Sequence, residues 1–119
     1  DIYPTCLNAA GVDIPVGVQG NSQLPVLRGE SESITDYALV DFYASSKLHQ
    51  QTLVHDNFKL VVYQGLNQGE LYNLRQDPDQ HNNLFDDRNY HDIRFTLYEK
   101  LIQVNMELAG KQGERSAYA

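Results

Sequence analysis

The chain holds 119 residues, 41% of them hydrophobic, with 9 Lys+Arg against 16 Asp+Glu and a formal net charge of −7, which suits one small domain with a modest core. The acidic balance argues against a sequence-independent nucleic-acid binder, which needs a basic face to displace counterions from phosphates, and a single cysteine excludes an internal disulfide or a zinc site built from several thiolates. No apolar run approaches the roughly 20 residues needed to cross a bilayer, and Asp1-Ile2-Tyr3-Pro4 lacks the basic and apolar stretches of a signal peptide, so the compartment stays open.

Asp1 to Gly11 reads as a short helix with both ends marked. Asp1 can cap it, Pro4 lies in the first turn where its missing N–H is not needed, and Gly11 supplies a left-handed stop. Ile2, Leu7 and Ala10 are among its apolar positions. Val12 to Gly20, with Pro15 and Gly17, is a loop, and a second helical turn is expected over Ser22–Leu27 with Ser22 as cap and Gly29 closing it. Between Gly29 and Ser46 stand four acids (Glu30, Glu32, Asp36, Asp41) and no base.

The middle of the chain is aromatic and β-branched. Tyr37–Ala44 and Thr52–His55 read as strands, and Asp56-Asn57 as a tight hairpin turn into a third strand at Phe58–Tyr63. Gly65 and Gly69 bracket the next turn, Glu70–Leu74 is a short fourth strand, and Asp77-Pro78 breaks the sheet. Tyr90, Ile93, Leu97, Leu101, Val104 and Leu108 recur at steps of 3, 4, 4, 3 and 4, one stripe of an amphipathic helix. Asp86 and Asp87 sit where an N-cap and the helix dipole favour acids, Gly110 marks the stop, and 111–119 reads as a frayed tail. The fold class is therefore α+β, a four-stranded antiparallel sheet packed by a long C-terminal helix. Residues 1–29 have no place in that layer.

Few single residues suggest chemistry. Apolar neighbours Leu7 and Ala9 favour a buried, inert Cys6 over a nucleophile. His49, His55, His81 and His91 match no compact metal-ligand spacing and read as surface or hydrogen-bonding residues. Asp86-Asp87 reads as a cap rather than a carboxylate pair facing across a cleft. The glycines at 65 and 69 lack the strand–loop–helix setting of a phosphate cradle.

Taken jointly, several segments resemble one family. Asp1-Ile2-Tyr3-Pro4-Thr5 leading to Ala10-Gly11 resembles the Asp-Leu-x-Pro-Thr…Ala-Gly helix of the type I sulfatases, the formylglycine-dependent branch of the alkaline-phosphatase-like superfamily. Gln19 to Gly29 is similar to their Gln-Gly-x-Ser-Leu-x-Pro-Leu-Leu-x-Gly segment, and Asp56-Asn57-Phe58-Lys59-Leu60 to their Asp-x-Tyr-Lys-Leu. Glu70-Leu71-Tyr72-Asn73-Leu74, Asp77-Pro78 and Asn82-Asn83-Leu84 resemble the signature Glu-Leu-Tyr-Asp-Leu-x-x-Asp-Pro-x-Glu-x-x-Asn-Leu.

The resemblance implies the C-terminal piece of a sulfatase. It places 1–29 at the end of the large α/β domain, 30–110 in the small C-terminal subdomain, and leaves 111–119 as a flexible tail. Calcium and formylglycine are implied for the parent enzyme, not for this segment. Cys6 is followed by Leu7-Asn8-Ala9-Ala10, which fails the Cys/Ser-x-Pro/Ala-x-Arg motif at its third and fifth positions. No catalytic residue is therefore assigned, and the segment is expected to be silent alone. The implied partner is the N-terminal catalytic domain, and without it the Ile2–Ala10 helix is expected to expose apolar surface and self-associate. In such a fold the subdomain's loops wall the cleft mouth, so Tyr43, Lys47 and His49, on the polar connection Tyr43–Gln51, are candidate substrate-rim residues suited to an anionic sulfated substrate. A phosphonate or phosphodiester hydrolase of the same superfamily and a free-standing interaction domain are the alternatives.

Overall fold

The computed structural model describes residues 1–45 and 48–111. They form two compact units: Asp36–Leu101, and Asp1–Thr35 with the segment that begins at Ile102. From residue 112 onward the expected tail lies outside the described residues.

The first of these units is the expected sheet. Strands β1 (Tyr37–Ser45), β2 (Leu48–His55), β3 (Phe58–Tyr63) and β4 (Gly69–Asn73) lie in the order β1-β2-β3-β4, every neighbouring pair antiparallel. Asp56 and Asn57 both take positive φ, 48° and 64°, the turn whose twist matches that of the strands it joins. One boundary differs from expectation. Residues 48–51 are not a loop but the start of β2, because Gln50 and Gln51 pair with Tyr63 and Val62 on one side and with Phe42 and Asp41 on the other. Backbone pairing on both edges outweighs the weak strand preference of glutamine.

The registers align Leu39, Leu53, Leu60 and Leu71 in a row across one face. Helix α3 (His91–Gly110) lays Leu97 and Leu101 on that row, and Leu84 and Phe85 complete the core. Asp87 caps a 3-10 turn, Arg88–Tyr90, by accepting from the Asn89 N–H, and the turn leads straight into α3. Lys100 ties α3 to the start of β1, 2.7 Å from Asp36 and 5.4 Å from the Tyr37 ring centroid. This ammonium holds the Asp36 carboxyl below its usual range, mainly through the hydrogen bond it donates.

The stretch after β4 closes that edge of the sheet. Asn73 Oδ1 accepts from the N–H of Arg75 and of Gln76, and the Asp77 carboxylate from those of His81 and Asn82. Asn83 then lies along β4, accepting from Leu71 N–H and donating to the Gly69 carbonyl, while Leu84 N–H reaches the Leu71 carbonyl. An unpaired strand edge is thereby satisfied. Gly69 is required by close approach rather than by a turn: a Cβ there would sit 2.3 Å from the Phe85 ring.

The second unit carries α1 (Ile2–Ala9) and α2 (Leu24–Leu27). Gly11 closes α1 at φ 70° and Gly29 follows α2 at φ 71°, as expected of helix stops. The capping differs. Asp1 makes no side-chain cap on α1; its carboxylate accepts from Asn21 N–H at 2.8 Å and from Gln23 Nε2. Thr5 Oγ1 accepts from Gln23 N–H, so the first turn of α1 holds the segment leading into α2. Ser22 stands one residue before the actual N-cap, Gln23, and accepts from Leu24 N–H. Cys6 is exposed rather than buried, because it lies with Ile2, 82% exposed, and Leu27, 73% exposed, around an open apolar depression.

Candidate functional site

The leucine row that receives α3 has a polar continuation on the same sheet face. Strand residues alternate faces, so Asp41 and Tyr43 on β1 lie with Leu39, and His49 and Gln51 on β2 with Leu53. Cross-strand pairing sets Tyr43 opposite His49 and Asp41 opposite Gln51. The register shifts between Tyr43 and Ser45, an irregularity of the kind that re-aims side chains at a hairpin end.

Tyr43 and His49 stack with ring centroids 3.9 Å apart and planes 9° from parallel. His49 Nε2 lies 2.6 Å from Asp41 Oδ1. The imidazole is thus held on two sides, by a ring face and by a carboxylate. Tyr43 is 67% exposed, and the His49 and Asp41 side chains are 23% and 42% exposed. Beside them, His49, Gln51, Val62, Tyr63 and Gln64 line a shallow depression of about 250 Å³. Two of the three rim residues read from the sequence, Tyr43 and His49, are therefore in contact. The third, Lys47, lies outside the described residues.

Asp41 was legible only as one of a run of acids. The signal that would have found it is its i, i+2 spacing to Tyr43 on a strand whose partner carries His49. The opposite sheet face holds a different pair: Tyr63 donates its hydroxyl to Glu70 Oε1 at 2.6 Å, and that carboxylate, with burial, pushes the tyrosine pKa up to about 12. His55 instead serves the scaffold, its Nδ1 2.8 Å from the Asp36 carbonyl.

These groups can bind and orient a ligand. No group of three His, Cys, Asp or Glu side chains among the described residues converges to hold a metal ion, and Cys6 stands outside the formylglycine motif. The donor set does not fit the calcium and formylglycine of a sulfatase, and no reaction step is routed through these residues.

Residues 1–107 match the family described as N-sulphoglucosamine sulphohydrolase, C-terminal. The chain is 33% identical over 99 residues to an N-acetylglucosamine-6-O-sulfatase of Bacteroides thetaiotaomicron, spanning 76% of this chain and 18% of that protein. It is 33% identical over 95 residues to arylsulfatase K of Xenopus laevis, spanning 71% and 18%. Among solved structures, a protein in complex with its substrate D-glucosamine-2-N,6-O-disulfate superposes with a TM-score of 0.80 at 25% identity, covering 96% of this chain and 25% of that one. The phosphonate monoester hydrolase of Agrobacterium radiobacter superposes with a TM-score of 0.74 at 26% identity, covering 91% and 24%. The chain thus spans about a fifth of the length of the curated sulfatases it matches. It belongs to the N-sulphoglucosamine sulphohydrolase C-terminal family, the C-terminal region of sulfatases of the alkaline-phosphatase-like superfamily.

Proposed function

We propose that the whole protein is a sulfuric ester hydrolase acting on a sulfated amino sugar, and that this chain contributes structure and part of the rim of its substrate cleft. The match of residues 1–107 to a sulfatase C-terminal family carries the reading. The substrate class is suggested by the N-acetylglucosamine-6-O-sulfatase relative and by the relative solved with a disulfated glucosamine. Calcium, the formylglycine nucleophile and the chemical step belong to the N-terminal catalytic domain. Residues 1–29 form the end of that large domain, 30–110 the small subdomain and 111–119 its tail. The rim residues are Tyr43, Lys47 and His49, with the stacked Tyr43–His49 pair as the exposed feature a saccharide would meet.

The test compares the 119-residue chain with the full-length enzyme, using N-acetylglucosamine 6-sulfate as substrate. Sulfate release is expected from the full-length enzyme alone. Tyr43→Ala and His49→Ala in the full-length enzyme should each raise KM about fivefold, the scale of one lost neutral hydrogen bond or ring contact, with kcat unchanged. Release of sulfate by the short chain would overturn the assignment of chemistry to the larger domain. Unchanged KM in both variants would remove the rim role. A phosphonate monoester run in parallel decides between the two chemistries of the superfamily, and faster phosphonate cleavage would overturn the sulfatase reading.

A further inference from the structure

Resting on the rim reading above, we propose that the Asp41–His49–Tyr43 cluster recognises a neutral hydroxyl of the saccharide and not its sulfate, with Asp41 as the positioning residue that sets which atom of His49 the ligand meets. His49 Nε2 is 2.6 Å from Asp41 Oδ1, so the proton of the neutral ring sits on Nε2 and Nδ1 carries a lone pair. Asp41 is acceptor-only when ionised and cannot satisfy that lone pair. With the ring neutral, the pair carries one negative charge. With the ring protonated, it carries none. In neither state is the pair a net cation, so it offers a sulfate ester no attraction between net charges.

A hydroxyl suits both states. It donates to Nδ1 of the neutral ring and accepts from Nδ1–H of the protonated one. Tyr43, stacked at 3.9 Å and nearly parallel, covers one face of the imidazole, and the His49 side chain keeps 23% of its surface exposed. Under this proposal His49 binds the hydroxyl, whereas the sequence suited it to the anion.

Two measurements test this. In the ¹⁵N-labelled 119-residue chain, long-range ¹H–¹⁵N correlations of His49 at neutral pH should report the Nε2–H tautomer, and Asp41→Asn should shift the ring toward a mixture. A predominant Nδ1–H tautomer in the unsubstituted chain would overturn the positioning role. In the full-length enzyme, KM and kcat are measured on N-acetylglucosamine 6-sulfate and on its 3-deoxy and 4-deoxy analogues. His49→Ala should raise KM about fivefold to tenfold for the parent sugar, the worth of one hydrogen bond, and leave it unchanged for at least one deoxy analogue. His49→Asn, which keeps a polar group near the Nδ1 position, should restore part of the loss. Asp41→Asn should weaken binding of the parent sugar without changing kcat.

Tighter binding of the sulfated sugar in Asp41→Asn would mean that His49 reads the sulfate, and an equal KM increase for all three sugars in His49→Ala that it reads neither the 3- nor the 4-hydroxyl. Either outcome overturns this inference and leaves the rim reading intact. If His49→Ala changes no KM at all, the rim role of His49 fails, and this inference with it.

Discussion

Gly69 and Asp77 carry more of the fold than their small size or exposure suggests. A methyl at Gly69 would meet Phe85 at 2.3 Å and the Val61 carbonyl at 2.7 Å, and the aromatic ring cannot retreat without opening the core beside Leu84 and Leu71. Gly69→Ala is expected to destabilise by about 1–3 kcal/mol, the usual cost of overpacking. Urea unfolding followed by tyrosine fluorescence checks it, and an unchanged midpoint would mean that Phe85 has room to move. Asp77 acts through hydrogen bonds. The N–H groups of Asn82 and His81 hold its carboxyl below the ordinary value of 3.8. Its stabilising contribution is therefore fully present above that unfolded value and is lost as pH falls through the lowered folded one. Asp77→Ala should lower Tm at neutral pH and flatten the acid limb of the Tm–pH curve below about pH 4. A parallel downward shift of the whole curve would assign its role to the turn geometry instead.

At the scale of elements, α3 and the sheet hold each other. Leu97 and Leu101 are 3% and 6% exposed, facing Leu53 and Leu60, which are fully buried. Leu101→Ala should cost about 2–5 kcal/mol, the lost transfer energy plus the cavity, measured by denaturant unfolding of the 119-residue chain. An effect below about 1 kcal/mol would place Leu101 outside the shared core. On the other sheet face, Tyr63 and Glu70 couple β3 to β4. Because the folded tyrosine pKa is raised to about 12, this contribution is complete below the unfolded value of 10.0 and is lost as pH rises from there through the folded value. Tyr63→Phe should remove the steepest part of the alkaline decline in Tm, and an unchanged alkaline limb would show the pair to be worth nothing in solution.

For the whole molecule, the exposed apolar residues of α1 and α2 are the feature with a measurable consequence. Ile2 is 82% exposed and Leu27 73%, in the segment proposed as the end of the larger catalytic domain. The 119-residue chain alone is expected to self-associate through this face. Sedimentation at rising concentration should reveal dimers that Ile2→Asp with Leu27→Asp abolishes. A monomer at all concentrations, with slow amide exchange across Ile2–Ala9, would mean that the face is covered within the chain itself.

Much of this was legible in order along the chain. Asp56-Asn57 specified a positive-φ hairpin, the 3–4 spacing from Tyr90 to Leu108 specified an amphipathic helix, and Gly11 and Gly29 specified helix stops, because each rests on local backbone chemistry or side-chain period. The joint motif from Asp1 to Leu84 likewise pointed to the sulfatases before any coordinates. Tertiary structure alone decided what depends on partners distant in sequence. Asp1 ties α1 to Asn21 instead of capping its own helix, and Asn83 seals the β4 edge. Gln50 and Gln51 become strand because β1 and β3 pair with them on both sides. Asp41 becomes part of the candidate site because antiparallel register sets it beside His49. Periodicity says which face a residue takes, whereas register across strands says what it meets there, and no local window of sequence contains that second fact.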